Sequence, residues 1–171
     1  MAGSLGQAGQ DDWRKDWRFW YLAVLCSILP DVDVLGFSVG IRYGDLWGHR
    51  GMTHSLLFAA VVAVLMAARL RSAAGQRWKL ILLLFVITAS HGVLDAMTDG
   101  GIGIAFFAPF DAERYYLPWQ PIAVSPIGVR RFLTSRGVVV LVSEARWVWL
   151  PSLLVAAVGW WLTRRRPPAT A

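Results

Sequence analysis

Four long apolar runs, bordered by three tight clusters of Lys and Arg, constrain this chain more than anything else in it. They extend from Phe19 to Leu29, from about Met52 to Ala68, from Leu80 to about Met97 and from Gly137 to Leu162. The basic clusters are Arg14, Lys15 and Arg18; Arg69, Arg71, Arg77 and Lys79; and Arg164, Arg165 and Arg166. The chain has 171 residues, of which 56% are hydrophobic and 16% charged. So small a body cannot hide that much apolar surface from water. Disorder is excluded, because it needs low hydrophobicity and high charge. A disulfide scaffold is excluded because Cys26 is the single cysteine, which reads as a buried packing residue. The expected fold is all-α: a polytopic membrane helical bundle of about four membrane helices, with the lipid bilayer as its first partner.

The net charge of +6 does not point to nucleic acid, because the cations gather at the ends of apolar runs. Read by the positive-inside rule, the N-terminal tail is inside, residues 30–50 outside, residues 69–79 inside and residues 99–136 outside. The C-terminus is cytoplasmic, in a multi-pass protein of a bacterial inner membrane. Ten basic residues then fall inside and six in the outer segments. Residues 1–16 read as a flexible tail, 17–163 as the helical membrane domain, and 164–171 as a basic, Pro-rich tail. The first run imitates a secretory signal, but Ile28-Leu29-Pro30-Asp31 is a poor cleavage site. It reads instead as an uncleaved short or tilted helix that Pro30 ends, anchored by Trp13, Trp17, Trp20 and Tyr21. The second run has 17 positions, about 26 Å of helix, just enough to cross a thin bilayer. In the fourth run Pro151 predicts a kink, and Glu144 and Arg146 sit near its start.

Polar residues recur where these runs end. Asp31 and Asp33 follow Pro30; an extended segment would turn both carboxylates to one side. His49 and His54 flank the start of the second run, and Gly48 and Gly51 permit a tight turn between them. His91 and Asp95 are four apart and share one face of the third helix. The topology brings all three ends to the same membrane side, so Asp31, Asp33, His49, His54, His91 and Asp95 can converge at one depth. Mixed nitrogen and oxygen ligands suit a divalent ion such as zinc or manganese, and six could hold one or two ions. Such a cage requires His54 and His91 to lie within about 10 Å of each other. Asp45 is a spare carboxylate near His49. The aromatic-rich outer loop from Gly100 to Arg136 reads as an interfacial lid or a recognition loop, with Arg114 or Arg130 placed to grip an anion.

The elements Leu-Pro-Asp-Val-Asp (29–33), His-Arg-Gly-Met-Thr-His-Ser (49–55) and His-Gly-Val-Leu-Asp-Ala-Met-Thr-Asp-Gly-Gly (91–101) resemble the YdjM-like family. So do Pro-Phe-Asp-Ala-Glu-Arg-Tyr-Tyr-Leu-Pro-Trp (109–119) and Val-Ser-Pro-Ile-Gly (124–128). These are bacterial inner-membrane proteins described as metal-dependent hydrolases. The resemblance covers roughly residues 18–160. It implies a helical membrane protein with an Asp and His metal centre and a hydrolase activity, and it supplies no substrate. Family members usually open with another helix carrying a Thr-His pair. Residues 1–16 hold no His and no apolar span, so that ligand and packing partner are expected to be missing.

The expected chemistry is metal-assisted hydrolysis of a phosphoester or lipid-linked substrate at the outer face. Asp33 or His49 would serve as base, and Arg50 and Arg114 would stabilise developing negative charge. The competing expectations are a non-catalytic protein pinned by its metal and a small ion or proton transporter.

Overall fold

The computed structural model describes residues 13–72 and 74–164. The expected tail residues 1–12 and 165–171, including Arg165 and Arg166, lie outside the described residues. The helical chain sorts into two units: one runs to Ala96 and adds Ile102–Pro118, the other takes Met97–Gly101 and the chain from Trp119 onward.

In the first unit a 3-10 turn, Trp13–Lys15, leads into α1, Trp17–Ile28, whose start is capped by the Asp16 carboxylate accepting from Arg18 N. The α-helix ends just before Pro30, as expected, but the chain does not become extended. A proline in the first turn has no intrahelical N–H to lose, and the chain tightens into an 11-residue 3-10 helix, Leu29–Val39. Runs of that geometry rarely exceed 3–4 residues. Asp31 and Asp33 consequently sit on a helix of three residues per turn, pointing roughly 120° apart rather than to one side.

The second apolar run also differs from expectation. Met52–His54 form a 3-10 turn, the Ser55 hydroxyl accepts from Phe58 N, and α2 covers only Leu56–Ala67. Twelve residues rise about 18 Å, short of a bilayer core of ~30 Å. The residues that would have lengthened the helix, Thr53 and His54, are drawn into polar contacts instead. α3 spans Arg77–Ala96. The core joins Phe19 and Cys26 of α1, Val62, Ala63 and Ala67 of α2, and Leu80 and Leu84 of α3. Ala59, Ala63 and Ala67 recur every four residues and are buried, which lets the helix backbones approach closely.

The second unit holds α4, Val129–Phe132, α5, Ser135–Glu144, and α6, Leu150–Arg164. α5 and α6 are continuous through a π-helical stretch, Ala145–Trp149, where Leu150 N–H reaches back to Ala145 O. The irregularity expected at Pro151 thus falls just ahead of it, where the widened turn accommodates a residue that cannot donate to the carbonyl four positions earlier. Arg146 stacks on the Trp147 ring at 5.0 Å.

Among the described residues, three helical stretches are long and apolar enough to cross a membrane: Trp17–Val39, Arg77–Ala96 and Ser135–Arg164. Leu56–Ala67 is a shorter apolar helix. The described residues contain no strand, only two isolated bridges. The protein is an all-α membrane bundle.

Candidate metal centre

The first unit brings all six predicted ligands together. The loop before α2 is wound tightly: a Cβ on Gly48 would lie 2.1 Å from Arg42 O, and one on Gly51 would lie 2.2 Å from Leu46 O. Only glycine fits either place, as the sequence predicts. Between them Arg50 takes a left-handed φ of 67°, a conformation costing about 1–2 kcal/mol. This turns its N–H toward Asp33 Oδ2 at 3.2 Å.

The ligands form two groups that share His54. The first is Asp31, His54, His91 and Asp95. His54 Nε2 lies 3.6 Å from Asp31 Oδ1 and 3.4 Å from Asp95 Oδ2. His91 Nε2 lies 3.3 Å from Asp31 Oδ1 and 3.9 Å from Asp95 Oδ2. The two imidazoles are 5.1 Å apart, well within the limit a shared ion imposes. These gaps are long for N–H···O bonds, which favour 2.7–3.2 Å. They lie near the edge length of a tetrahedral site, where donors about 2.1 Å from one ion stand roughly 3.4 Å from each other, and all four donor atoms lie within 4.8 Å of one another. His54 Nε2 is buried and has no hydrogen-bond partner, so the donor set has the geometry and the open nitrogen that a divalent ion needs.

Both imidazoles present the required atom because their other nitrogen is held. His91 Nδ1–H donates to Ser27 O at 2.8 Å. In the 3-10 register that follows, the backbone partner of that carbonyl would be Pro30, which has no N–H to give it. His54 Nδ1 lies 3.1 Å from Asp33 Oδ2 and from Thr53 Oγ1. Thr53 gives its single proton to Asp33 at 2.6 Å, so toward His54 it can only accept. Both neighbours are acceptors, which puts the proton on Nδ1 and the lone pair on Nε2.

The second group is Asp33, His49 and His54. Here the contacts to Asp33 are hydrogen bonds of ordinary length. Asp33 accepts from His49 Nδ1 at 2.8 Å, from Thr53 and from Arg50 N. His49 also stands edge-on to Tyr43, with ring centroids 5.3 Å apart.

Arg50 is 3% exposed, with Nε 3.4 Å from Asp95 Oδ2. Arg114 donates to four carbonyls, those of Gly44, Asp45, His49 and Arg50, at 3.1–3.3 Å. Its guanidinium therefore clamps the 44–50 loop. Asp45 lies outside both groups, taking Arg42 N at 2.8 Å. Part of the aromatic loop also serves this clamp: Ala105 N donates to Arg50 O, Leu56 N donates to Phe106 O, and Ile104, Ala105 and Ala108 are buried. The neighbouring turn is pinned by Tyr115 OH donating to Asp111 Oδ2 at 2.9 Å, which pushes the phenol up to about 12. Arg130, on α4, belongs to the second unit.

Sequence reasoning missed Thr53, Tyr43 and the Ser27 carbonyl. Thr53 was visible as a hydroxyl beside a ligand candidate. The carbonyl had one signal, the proline three residues downstream.

A family model described as "YdjM inner membrane protein" matches residues 1–167. The chain is 41% identical over 155 residues to "Inner membrane protein YbcI" of Escherichia coli (strain K12), covering 87% of this chain and 86% of that relative. No solved structure matches the chain.

Proposed function

The chain belongs to the YdjM inner membrane protein family, and from that premise we propose that it is a metal-dependent hydrolase centred on Asp31, His54, His91 and Asp95. The observation that carries this reading is the pairing of a buried, unbonded His54 Nε2 with three further donors at tetrahedral spacing. Two nitrogens and two oxygens suit zinc or manganese. A divalent ion there supplies Lewis acidity and brings the pKa of water toward neutrality.

The remaining chemistry is the chain's own. Asp33 and Thr53 fix the His54 tautomer, and Ser27 O fixes that of His91. His49 is held through Nδ1 by Asp33, which leaves Nε2 as the atom able to take a proton from the attacking water. Arg50 lies against Asp95 and lends positive charge where a negatively charged transition state develops. Arg114 positions Arg50 and His49 by holding their carbonyls. The substrate is a phosphoester or lipid-linked ester, and by the positive-inside rule the site belongs to the outer half of the membrane, with the C-terminus cytoplasmic.

The test is turnover of a phosphodiester by purified, metal-loaded protein. Activity lost on chelation, restored by the ion and abolished in His91→Ala supports hydrolysis. Stoichiometric metal without turnover leaves an ion that pins helices together, and ion flux in proteoliposomes would indicate transport.

A further inference from the structure

We infer that the centre is reached sideways through the bilayer, by the phosphate of a membrane-resident phosphodiester rather than by a water-soluble ester; this rests on the metal reading above.

Depth is the first support. From Trp17 to Asp31 the chain climbs 11 α-helical steps and three 3-10 steps, about 22 Å, and from Asp31 to Val39 another ~16 Å. Centring a hydrocarbon core of ~30 Å on that span leaves Asp31 about 12 Å below the nearer boundary. α3 gives an independent ruler. From Lys79, the last cation before the apolar stretch, to His91 is 12 steps, about 18 Å, which again leaves ~12 Å of a 30 Å core.

The opening is the second support. His54 is fully buried, with a side-chain exposure of 0%, whereas the Asp31 side chain is 51% exposed. Asp31 is the edge through which this cage meets its surroundings. On the 3-10 helix it stacks one turn above the exposed Ile28, and Val24, Val32, Leu35 and Val39 are further exposed apolar residues of the same helical stretch. Between Arg18 and Arg42 the only ionisable carboxylates are Asp31 and Asp33. An entrance bordered by Ile28 on a helix with so many exposed apolar residues suits an acyl chain, and intramembrane carboxylates are costly enough to indicate function.

Charge is the third. Among the permanently charged side chains here are three carboxylates, Asp31, Asp33 and Asp95, and two guanidiniums, Arg50 and Arg114. One divalent ion leaves a single positive charge, and a buried site of low dielectric favours one monoanion to balance it. A phosphodiester headgroup carries that charge; two ions would leave three positive charges.

The probe is Mn2+ bound to the full chain in phosphatidylglycerol nanodiscs, with phosphorus coupling to the ion read by pulsed EPR. One Mn2+ per chain, coupled to lipid phosphorus, is the expected result. In Ile28→Trp, which puts bulk one 3-10 turn from Asp31, metal content should stay unchanged and the coupling should fall at least threefold. Coupling to added glycerol phosphate but not to lipid would show an entrance from water and overturn the inference. Bound Mn2+ without coupling to either phosphate would overturn it as well. Failure to bind Mn2+ at all would instead remove the metal reading, and this inference with it.

Discussion

Asp31 and Asp33 stand two residues apart on one 3-10 helix and behave in opposite ways. Asp33 is buried and accepts hydrogen bonds of 2.6–3.2 Å from Thr53, His49 and Arg50. Asp31 is half exposed, and the Nε2 atoms of His91 and His54 stand off from it at 3.3 and 3.6 Å. One carboxylate is saturated by protons; the other faces nitrogens across gaps that an ion would close. The difference separates groups that hold a cage from groups that form it. His54, shared by both, is anchored through one nitrogen and presents the other.

His54→Ala should have the largest effect, because it removes a ligand and leaves buried carboxylates uncompensated. Complete loss of stoichiometric metal is expected by elemental analysis, with about 3–5 kcal/mol lost from denaturation in detergent. His91→Ala and Asp95→Asn come next. Isothermal titration should show metal affinity falling by more than ~100-fold, beyond the range for residues that only orient a ligand. Asp33→Asn should cost about 10–100-fold and still load fully at excess metal. Equal losses in Asp33→Asn and Asp95→Asn would erase the distinction between the two groups. Acid should act on the cage in the same direction: protons compete with the ion for His54 and His91, so affinity falls as pH is lowered from 8 to 5, with a slope of up to two protons per ion. Arg114→Ala should do least to metal binding, within about tenfold by the orienting-residue range. It should speed amide exchange across residues 44–50, whose carbonyls it holds.

Much of this was legible in the sequence, for identifiable reasons. Apolar length and flanking cations gave the membrane bundle. The four-residue spacing of His91 and Asp95 put both side chains on one face, and Gly48 and Gly51 gave the tight loop. The local path after Pro30 was not legible: a proline ends many helices, but in a first turn it is tolerated, and here the chain continues as a 3-10 helix that splits Asp31 from Asp33. The start of α2 was hidden because hydropathy counts Met52 and its neighbours as apolar span, whereas tertiary contacts pull Thr53 and His54 out of the helix. Arg114 looked like an anion grip because a sequence shows charge and not the carbonyls that absorb it.

X-ray absorption at the zinc edge, on protein loaded with one equivalent, tests the cage most directly. Two imidazoles and two carboxylate oxygens at roughly 2.0–2.2 Å are expected, with one imidazole missing in His91→Ala and neither missing in His49→Ala. A spectrum of oxygen ligands alone, or one that His91→Ala leaves unchanged, would contradict it.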